Sequence, residues 1–206
     1  YIAHVFASLL RSEGVEVAGD FAGMSTTPAE SLRDPIATLS SLPLNDLARF
    51  FNIYSNNFMA EQTFQAIGAA ATNSPASVEK SRKAVVEYLK RNKNCASAVI
   101  DNGSGLSWNS RVNSRCFTEI FQNSYRDFRV YADLIGSLPI GGQTGTLKSR
   151  FKKTGADFDA QIVRAKTGTL WSQKAVTSLV GVTQTRSGET IVFSILQNDQ
   201  RNDSSL

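Results

Sequence analysis

Two short sequence elements hold residues suited to chemistry on a peptide that ends in a free carboxylate. Ser-x-Asn occurs at residues 55–57 and again at 107–109, and Lys-Thr-Gly occurs at 153–155 and 166–168. A lysine and a threonine can hold a carboxylate through charge-assisted hydrogen bonds, and a serine hydroxyl beside a lysine can pass protons without histidine. Each element is short enough to occur by chance, so the predicted surroundings must decide between the copies.

The favoured copies are residues 55–57 and 166–168. Residues 166–168 end a predicted strand, which would hold Lys166 and Thr167 rigidly and leave backbone N–H groups free at the strand edge. Residues 153–155 have turn character on both sides and predict an exposed turn. The copy at 55–57 stands between two predicted helices, from which its hydroxyl and amide can project into a cleft. Residues 107–109 close a glycine-rich turn and predict the start of the following helix, with capping oxygens from Ser and Asn.

Ser77 and Lys80 form a Ser-x-x-Lys spacing that could mark a nucleophile and its base. The spacing follows Ser55 rather than preceding it, and it stands near the start of a basic helical segment. We therefore interpret Ser77 as a residue near the N-cap of that helix.

Histidine chemistry is almost excluded by composition. His4 is the only histidine, and it lies in an apolar helical context at the start of the chain. A Ser-His-Asp triad or a histidine-rich metal site would depend on this one residue, so we predict a structural or surface role for it, with neither metal nor cofactor. Acid–base chemistry here would then use lysine, serine, tyrosine or carboxylates.

The elements that position these residues follow from hydrophobic periodicity. Helices are predicted at residues 3–13, 44–51, 58–70, 75–93, 112–122 and 130–134. Strands are predicted at residues 15–17, 161–165, 175–183 and 190–196, with a hairpin turn at 186–188 between the last two. A helical region followed by a small antiparallel sheet indicates the α+β class.

Composition limits the partners and the cellular setting. The chain has 206 residues and a formal charge of +4, and 41% of its residues are hydrophobic. The densest basic stretch, residues 80–93, has apolar residues at helical spacing and predicts the solvated face of an amphipathic helix rather than a nucleic-acid surface. No apolar run approaches the roughly 20 residues of a membrane-spanning helix. Cys95 and Cys116 fit either one disulfide or two buried thiols.

Four ordered segments resemble the class C low-molecular-mass penicillin-binding proteins, which are D-alanyl-D-alanine carboxypeptidases and endopeptidases. They are residues 55–61 (SNNFMAE), 101–107 (DNGSGLS), 142–148 (GQTGTLK) and 164–170 (RAKTGTL). The resemblance covers essentially the whole chain. It implies a β-lactamase/DD-peptidase-like fold, incomplete at both ends, and identifies residues 1–206 as the C-terminal part of a periplasmic serine peptidase. No Ser-x-x-Lys precedes Ser55, so the nucleophile-bearing segment is expected outside this chain.

The resemblance also implies residue roles. Ser55 would relay a proton to the leaving amine and Asn57 would hydrogen-bond the substrate amide. Lys166 and Thr167 would hold the terminal carboxylate, and the backbone N–H of Thr169 would form half of an oxyanion hole beside Gly168. Peptidoglycan stem peptides and β-lactam antibiotics are the implied partners.

Three alternatives stay open at this point. The first is a catalytically silent peptidoglycan-binding module, which would keep the carboxylate clamp but lack a nucleophile. The second is a serine β-lactamase, which would release its acyl group rapidly. The third is a basic nucleic-acid-binding domain, whose affinity would fall steeply with salt and not depend on Lys166.

Overall fold

Residues 2–19, 37–151, 160–171 and 175–200 are described by a computed structural model, which divides the chain into two units, Tyr1–Ser41 and Leu42–Leu206. In the first unit, helix α1 spans Ile2–Ser12. Gly14 follows it with φ +83°, which glycine adopts without strain and which confirms the predicted helix stop. The strand predicted at residues 15–17 is wrong, because this short segment is not part of any strand.

Five α-helices of the second unit lie within the described ranges. They are α2 (Leu44–Tyr54), α3 (Asn57–Thr72), α4 (Val78–Leu89), α5 (Ser114–Arg126) and α6 (Phe128–Ser137). Side-chain oxygens of Asn56, Ser77, Asn113 and Asp127 accept backbone N–H groups at the starts of α3 to α6. Ser77 accepts from the Lys80 N–H at 3.3 Å, so the predicted capping role of Ser77 is confirmed.

Three strands form one antiparallel sheet in the order β1 (Arg164–Leu170), β2 (Ala175–Gln184) and β3 (Thr190–Gln200). The β2–β3 hairpin turns through Gly188, whose φ is +91°, as predicted. The strand predicted at residues 161–165 lies further along the chain, because Ala160–Ile162 is a 3-10 turn and β1 continues to Leu170. The Lys-Thr-Gly element therefore lies inside β1 and not at its end. The antiparallel sheet with its helices confirms the α+β prediction.

Helices α5 and α6 cover one face of the sheet. Phe121 and Leu138 pack with Val180 and Val182 of β2 in a buried cluster. A second cluster under the start of β1 contains Leu147, Val163 and Ala165. Packing the start of β1 against buried apolar side chains, together with its pairing to β2, limits the freedom of the strand that carries Lys166.

A disulfide joins Cys95 and Cys116, so the first of the two alternatives for the cysteines is correct. It links the 3-10 turn Lys93–Cys95 to α5 and lies in a buried cluster with Leu89. A cross-link between residues 21 positions apart stabilises a fold by about 3 kcal/mol through loop-closure entropy. Such bonds persist in oxidising compartments.

Candidate functional site

A cleft of about 940 Å³ opens between the start of α3, the turn at residues 103–108 and strand β1. We call it the main cleft. All six residues singled out in the sequence line it: Ser55, Asn57, Lys166, Thr167, Gly168 and Thr169. Its volume is within the range of small-molecule and peptide sites.

The corner between α2 and α3 places the Ser-Asn-Asn segment in the main cleft. Ser55 follows the last turn of α2 in the left-handed conformation, with φ 52° and ψ 48°. Asn56 caps α3 by accepting the Met59 N–H at 2.9 Å, and Asn57 begins that helix with an exposed side chain. A non-glycine residue in the left-handed region costs of order 1 kcal/mol, so the Ser55 conformation is held by the two helices around it.

Helix α2 is held in turn by a polar contact with α6. The Asn52 side-chain amide donates to the hydroxyl of Ser137 at 2.8 Å, and that hydroxyl is buried and donates to the Leu134 carbonyl. A satisfied buried polar chain of this kind sets the orientation of α2 against α6. It thereby fixes the position of Ser55 at the end of the helix.

Lys166 meets Ser55 across the main cleft. The Lys166 ammonium donates to Ser55 Oγ at 2.8 Å and to the Thr167 carbonyl at 2.7 Å. An ammonium has three N–H donors, so one remains for a ligand. Because Ser55 Oγ accepts from Lys166, the Ser55 hydroxyl proton is free to point toward a bound group.

Burial lowers the pKa of Lys166 below its ordinary value of 10.5. The cause is desolvation, which disfavours the charged ammonium in a partly buried site. Lys166 has no carboxylate partner in the part of the chain that the structure describes. A bound anion would therefore regain electrostatic energy that no described protein group supplies.

Thr167 is coupled to a second segment, the 3-10 turn Gly145–Leu147. Its hydroxyl donates to Thr146 Oγ1 at 2.8 Å. Gly145 has φ +52°, and a β-carbon there would come within 2.2 Å of the Ile53 carbonyl oxygen of α2. Only glycine permits this approach, and it is what brings the Thr146 hydroxyl to the edge of the main cleft.

The backbone of β1 also faces the main cleft. The Ala165 N–H bonds to the Pro139 carbonyl at 3.1 Å, on the side of β1 opposite β2. Backbone direction alternates along a strand, so the N–H groups of Thr167 and Thr169 point the same way as that of Ala165. Two N–H donors therefore lie along the cleft edge of the strand.

The opposite wall is the glycine turn that begins at Asp101. Glu61 of α3 accepts the N–H groups of Gly103 and Ser104 at 2.9 and 3.1 Å. Arg82 of α4 binds both the Asp101 carboxylate and its carbonyl, and Ser107 donates to the same carboxylate at 2.5 Å. The Ser107 hydroxyl and, more weakly, the Arg82 charge lower the pKa of Asp101. Two charged side chains thus hold this wall in place.

A model of the D-Ala-D-Ala carboxypeptidase 3 (S13) family matches residues 1–205. The chain belongs to this family. The S13 match confirms the penicillin-binding-protein resemblance of the four ordered segments.

Relatives and solved structures agree with the S13 assignment. A carboxypeptidase of Mycobacterium tuberculosis is 33% identical over 184 residues, which are 87% of this chain and 39% of that protein. A D-alanyl-D-alanine carboxypeptidase of Actinomadura sp. is 30% identical and is aligned over 95% of this chain and 36% of its own length. Penicillin-binding protein 4 of Haemophilus influenzae, solved with a β-lactam, superposes with a TM-score of 0.82 at 25% identity, covering 98% of this chain and 45% of that one. The S13 chain spans about two fifths of the length of these curated relatives.

Within the described ranges, the second Ser-x-Asn copy, at residues 107–109, makes no hydrogen bond to Ser55 or Lys166 and serves the glycine turn of this S13 chain instead. Residues 107–109 do not start a helix as predicted, since α5 begins at Ser114 with Asn113 as its cap. The physical reason is that the Ser107 hydroxyl is bound to Asp101. The Lys-Thr-Gly copy at 153–155 lies outside the described residues. His4 is exposed on α1.

Three polar residues that support the site are missing from the sequence predictions. Thr146 binds Thr167, Glu61 holds the glycine turn, and Arg82 binds Asp101. Arg82 was included in the predicted solvated face, but it is half-buried against the glycine turn. The signal for Thr146 and Glu61 was their presence inside the segments 142–148 and 55–61.

No described helix is long and apolar enough to cross a membrane. Within the described ranges, no group of three or more His, Cys, Asp or Glu side chains is placed to hold a metal ion. The main cleft offers instead a lysine, hydroxyls, an amide and backbone N–H groups. This set can bind a carboxylate, hold an extended peptide and move a proton.

Proposed function

We propose that this S13 chain is the substrate-binding part of a serine peptidase that cleaves the D-alanyl-D-alanine bond of peptidoglycan stem peptides. The observation that carries the proposal is the 2.8 Å contact between Lys166 Nζ and Ser55 Oγ inside a cleft whose edge carries the N–H groups of Thr167 and Thr169. A carboxylate-terminated peptide needs this combination of a cation, hydroxyls and backbone donors in one place. Family membership and the penicillin-binding structural neighbour support the same substrate class.

Lys166 and Thr167 hold the terminal carboxylate in this mechanism. The third ammonium N–H of Lys166 donates to one carboxylate oxygen. The Thr167 hydroxyl, whose single proton is bound to Thr146 Oγ1 in the structure, exchanges that bond for one to the other carboxylate oxygen. Gly168 holds its place in β1 through pairing with Ser178 of β2. Asn57 donates to the substrate's peptide group from the opposite side. These contacts orient the scissile amide along β1.

The acylation step joins a serine oxygen to the carbonyl carbon of the substrate and breaks the C–N bond to D-alanine. The backbone N–H of Thr169 stabilises the oxyanion, a contribution of about 3 kcal/mol for one such donor. The proton released by the attacking serine reaches the departing nitrogen through the Ser55 hydroxyl, whose oxygen is held by Lys166. Water then hydrolyses the acyl-serine.

The attacking serine is proposed to lie outside these 206 residues. The first lysine of the sequence is Lys80, so no Ser-x-x-Lys can precede Ser55 here. Ser77 is committed to capping α4, and Lys80 donates to Ser74 Oγ and the Pro75 carbonyl at 2.8 Å each. The chain covers only 39% and 36% of the length of two relatives, which is consistent with a nucleophile segment elsewhere in the intact protein.

A location in the cell envelope, specifically the periplasm, is part of the proposal. The Cys95–Cys116 disulfide fits an oxidising compartment, and peptidoglycan is found outside the cytoplasm. β-Lactam antibiotics are the proposed inhibitors, because they carry a carboxylate beside a reactive amide.

The direct test is release of D-alanine from a peptide ending in D-alanyl-D-alanine by the intact protein. We expect release from the free acid, much slower release from the same peptide with a C-terminal amide, and a stable penicillin adduct by mass spectrometry. Absence of both turnover and adduct would contradict the peptidase and favour a silent peptidoglycan-binding module. Rapid loss of the adduct with hydrolysed penicillin would instead identify a β-lactamase.

The lowered pKa of Lys166 predicts a pH-dependent affinity for carboxylates. The carboxylate binds to charged Lys166, so the inhibition constant of N-acetyl-D-alanine should be constant at lower pH and rise as the pH passes through the Lys166 pKa. Because that pKa lies below 10.5, weakening should begin at a lower pH than for a solvated lysine. Above the pKa, affinity should fall by up to about tenfold per pH unit.

The matched variant for this titration is Lys166→Arg. Its guanidinium stays charged across the whole range, so its inhibition constant should remain flat whatever its absolute value. An unmodified protein whose inhibition constant is also flat up to pH 10.5 would contradict a role for Lys166 in carboxylate binding.

A further inference from the structure

A second cavity of about 630 Å³ lies beside the main cleft. One wall is α2, with Arg49, Phe50, Ile53 and Tyr54, and the other is the segment from Gln143 to Lys148. We call it the α2 pocket. Thr146 lines both cavities, so the two adjoin at this residue.

Thr146 also identifies which end of a substrate the α2 pocket serves. Its hydroxyl accepts the hydrogen bond from Thr167, which belongs to the proposed carboxylate clamp. The clamp holds the amino acid that leaves when the amide is cut. A leaving amino acid whose side chain extends past the clamp on the Thr146 side therefore enters the α2 pocket.

The size of the α2 pocket exceeds what a D-alanine leaving group needs. D-Alanine carries only a methyl group besides its amine and carboxylate, whereas about 630 Å³ is the volume of a typical small-molecule site. The pocket also exposes aromatic surface, since Phe50 and Tyr54 are 47% and 69% exposed. An extended leaving group would cover this surface, and free D-alanine would not.

The charge of the α2 pocket selects the class of that leaving group. Arg49 and Lys148 line it, and none of its lining residues is acidic. Both cations are solvent-exposed, and neither is in an ion pair within the described part of the chain. Two unpaired cations beside aromatic faces favour a peptide that carries its own carboxylate.

We propose that the α2 pocket is a leaving-group subsite for peptides that bear a second carboxylate, such as the acceptor stem of a peptidoglycan cross-link. The inference rests on the proposed function, because the direction of the substrate follows from the clamp at Lys166 and Thr167. It assigns Arg49 and Lys148 to binding of the leaving peptide and leaves the amide chemistry to the main cleft.

The test compares substrates of the intact protein that share one acyl part. The first releases D-alanine, the second releases a peptide with an additional carboxylate, and the third releases the same peptide with that carboxylate amidated. The variants are Arg49→Gln, Lys148→Gln and the double variant. Lys83→Gln, at an exposed position of α4, is the matched control for loss of one positive charge.

Each single variant should lower kcat/KM for the anionic leaving peptide by about tenfold. The loss of one hydrogen bond to a charged group weakens binding by about this factor. D-Alanine release and turnover of the amidated substrate should change less than about twofold, because neither leaving group carries the second carboxylate that Arg49 and Lys148 would bind. Thermal melts of the variants should match the unmodified protein, since both side chains are exposed. The Lys83→Gln control should leave all three substrates unchanged.

Three results would overturn the subsite. Equal losses on all three substrates would place Arg49 and Lys148 in the shared chemistry, and no loss on any substrate would mean that the α2 pocket is covered or unused. Equal losses on the anionic and amidated peptides would show that charge is not recognised. In each case continued D-alanine release by the unmodified protein would leave the proposed function standing, whereas failure to turn over any substrate would remove both.

Discussion

Replacing Lys166 with alanine in the intact protein should reduce its labelling by a fluorescent penicillin by at least about a hundredfold, the effect typical of losing one preorganised donor at a reacting centre. The variant loses the cation that faces the ligand carboxylate and the donor that holds Ser55 Oγ at 2.8 Å. Labelling is measured as the second-order rate of adduct formation. Because Lys166 is only partly buried, the shortened side chain should leave the fold intact.

Lys83→Ala is the matched control, since Lys83 is an exposed lysine on α4 and is not among the residues that line the main cleft. It should label at the unmodified rate. Labelling of Lys166→Ala at the unmodified rate would refute the assignment of the main cleft as the penicillin site. It would also remove the basis for the α2 pocket as a leaving-group subsite.

Replacing Ser55 with alanine should lower kcat for D-alanine release by about a hundredfold or more, the usual contribution of a positioned proton donor. The variant keeps the Lys166 ammonium and the Thr167 hydroxyl, so KM for the peptide should change little. A selective loss in kcat indicates an interaction made in the transition state rather than in substrate binding. Steady-state kinetics on the intact protein separate the two constants.

Ser97→Ala is the comparison for Ser55, because Ser97 is exposed in a turn outside the main cleft. The double variant Ser55→Ala/Lys166→Ala should be only slightly less active than the less active of the two single variants, because the two side chains form one hydrogen-bonded unit. A Ser55→Ala enzyme with unchanged kcat and raised KM would show that the hydroxyl binds substrate and does not relay a proton.

The local signals for the site were strong enough to be read from the sequence. Lys166 stands in a run whose apolar and β-branched neighbours predict a strand, and Ser55 stands between two amphipathic helices. The pairing of the two is a long-range contact, 111 residues apart, and no periodicity specifies it. It was predicted because the ordered segments resemble a known family.

The boundary of β1 could not be predicted because two effects compete there. The local sequence predicts that the strand ends at Thr167, Gly168 and Thr169, since glycine is disfavoured in strand interiors. In the folded chain Gly168 pairs with Ser178 of β2, and a β-carbon there would meet the Ser178 hydroxyl at 2.4 Å. Strand pairing therefore overrides the local preference of glycine for a turn.

The supporting polar contacts were missed because they join segments distant in sequence. Arg82 shares its helical segment with lysines that face water, and only the fold brings it against Asp101. The state of Cys95 and Cys116 was undecidable for the same reason, since 21 intervening residues allow either a bond or two separate thiols. Side-chain type alone does not distinguish these outcomes.

The open edge of β1 has a consequence for association between copies of the protein. A strand edge that offers unpaired N–H groups to an extended ligand is equally a template for any other strand, including one from a second molecule. Lys166 lies on this strand, beyond the bridge between Arg164 and Ile140, and a lysine on an edge discourages such pairing by leaving a buried charge unsatisfied. The lysine proposed to attract a carboxylate would then also keep concentrated protein from aggregating through its own substrate groove.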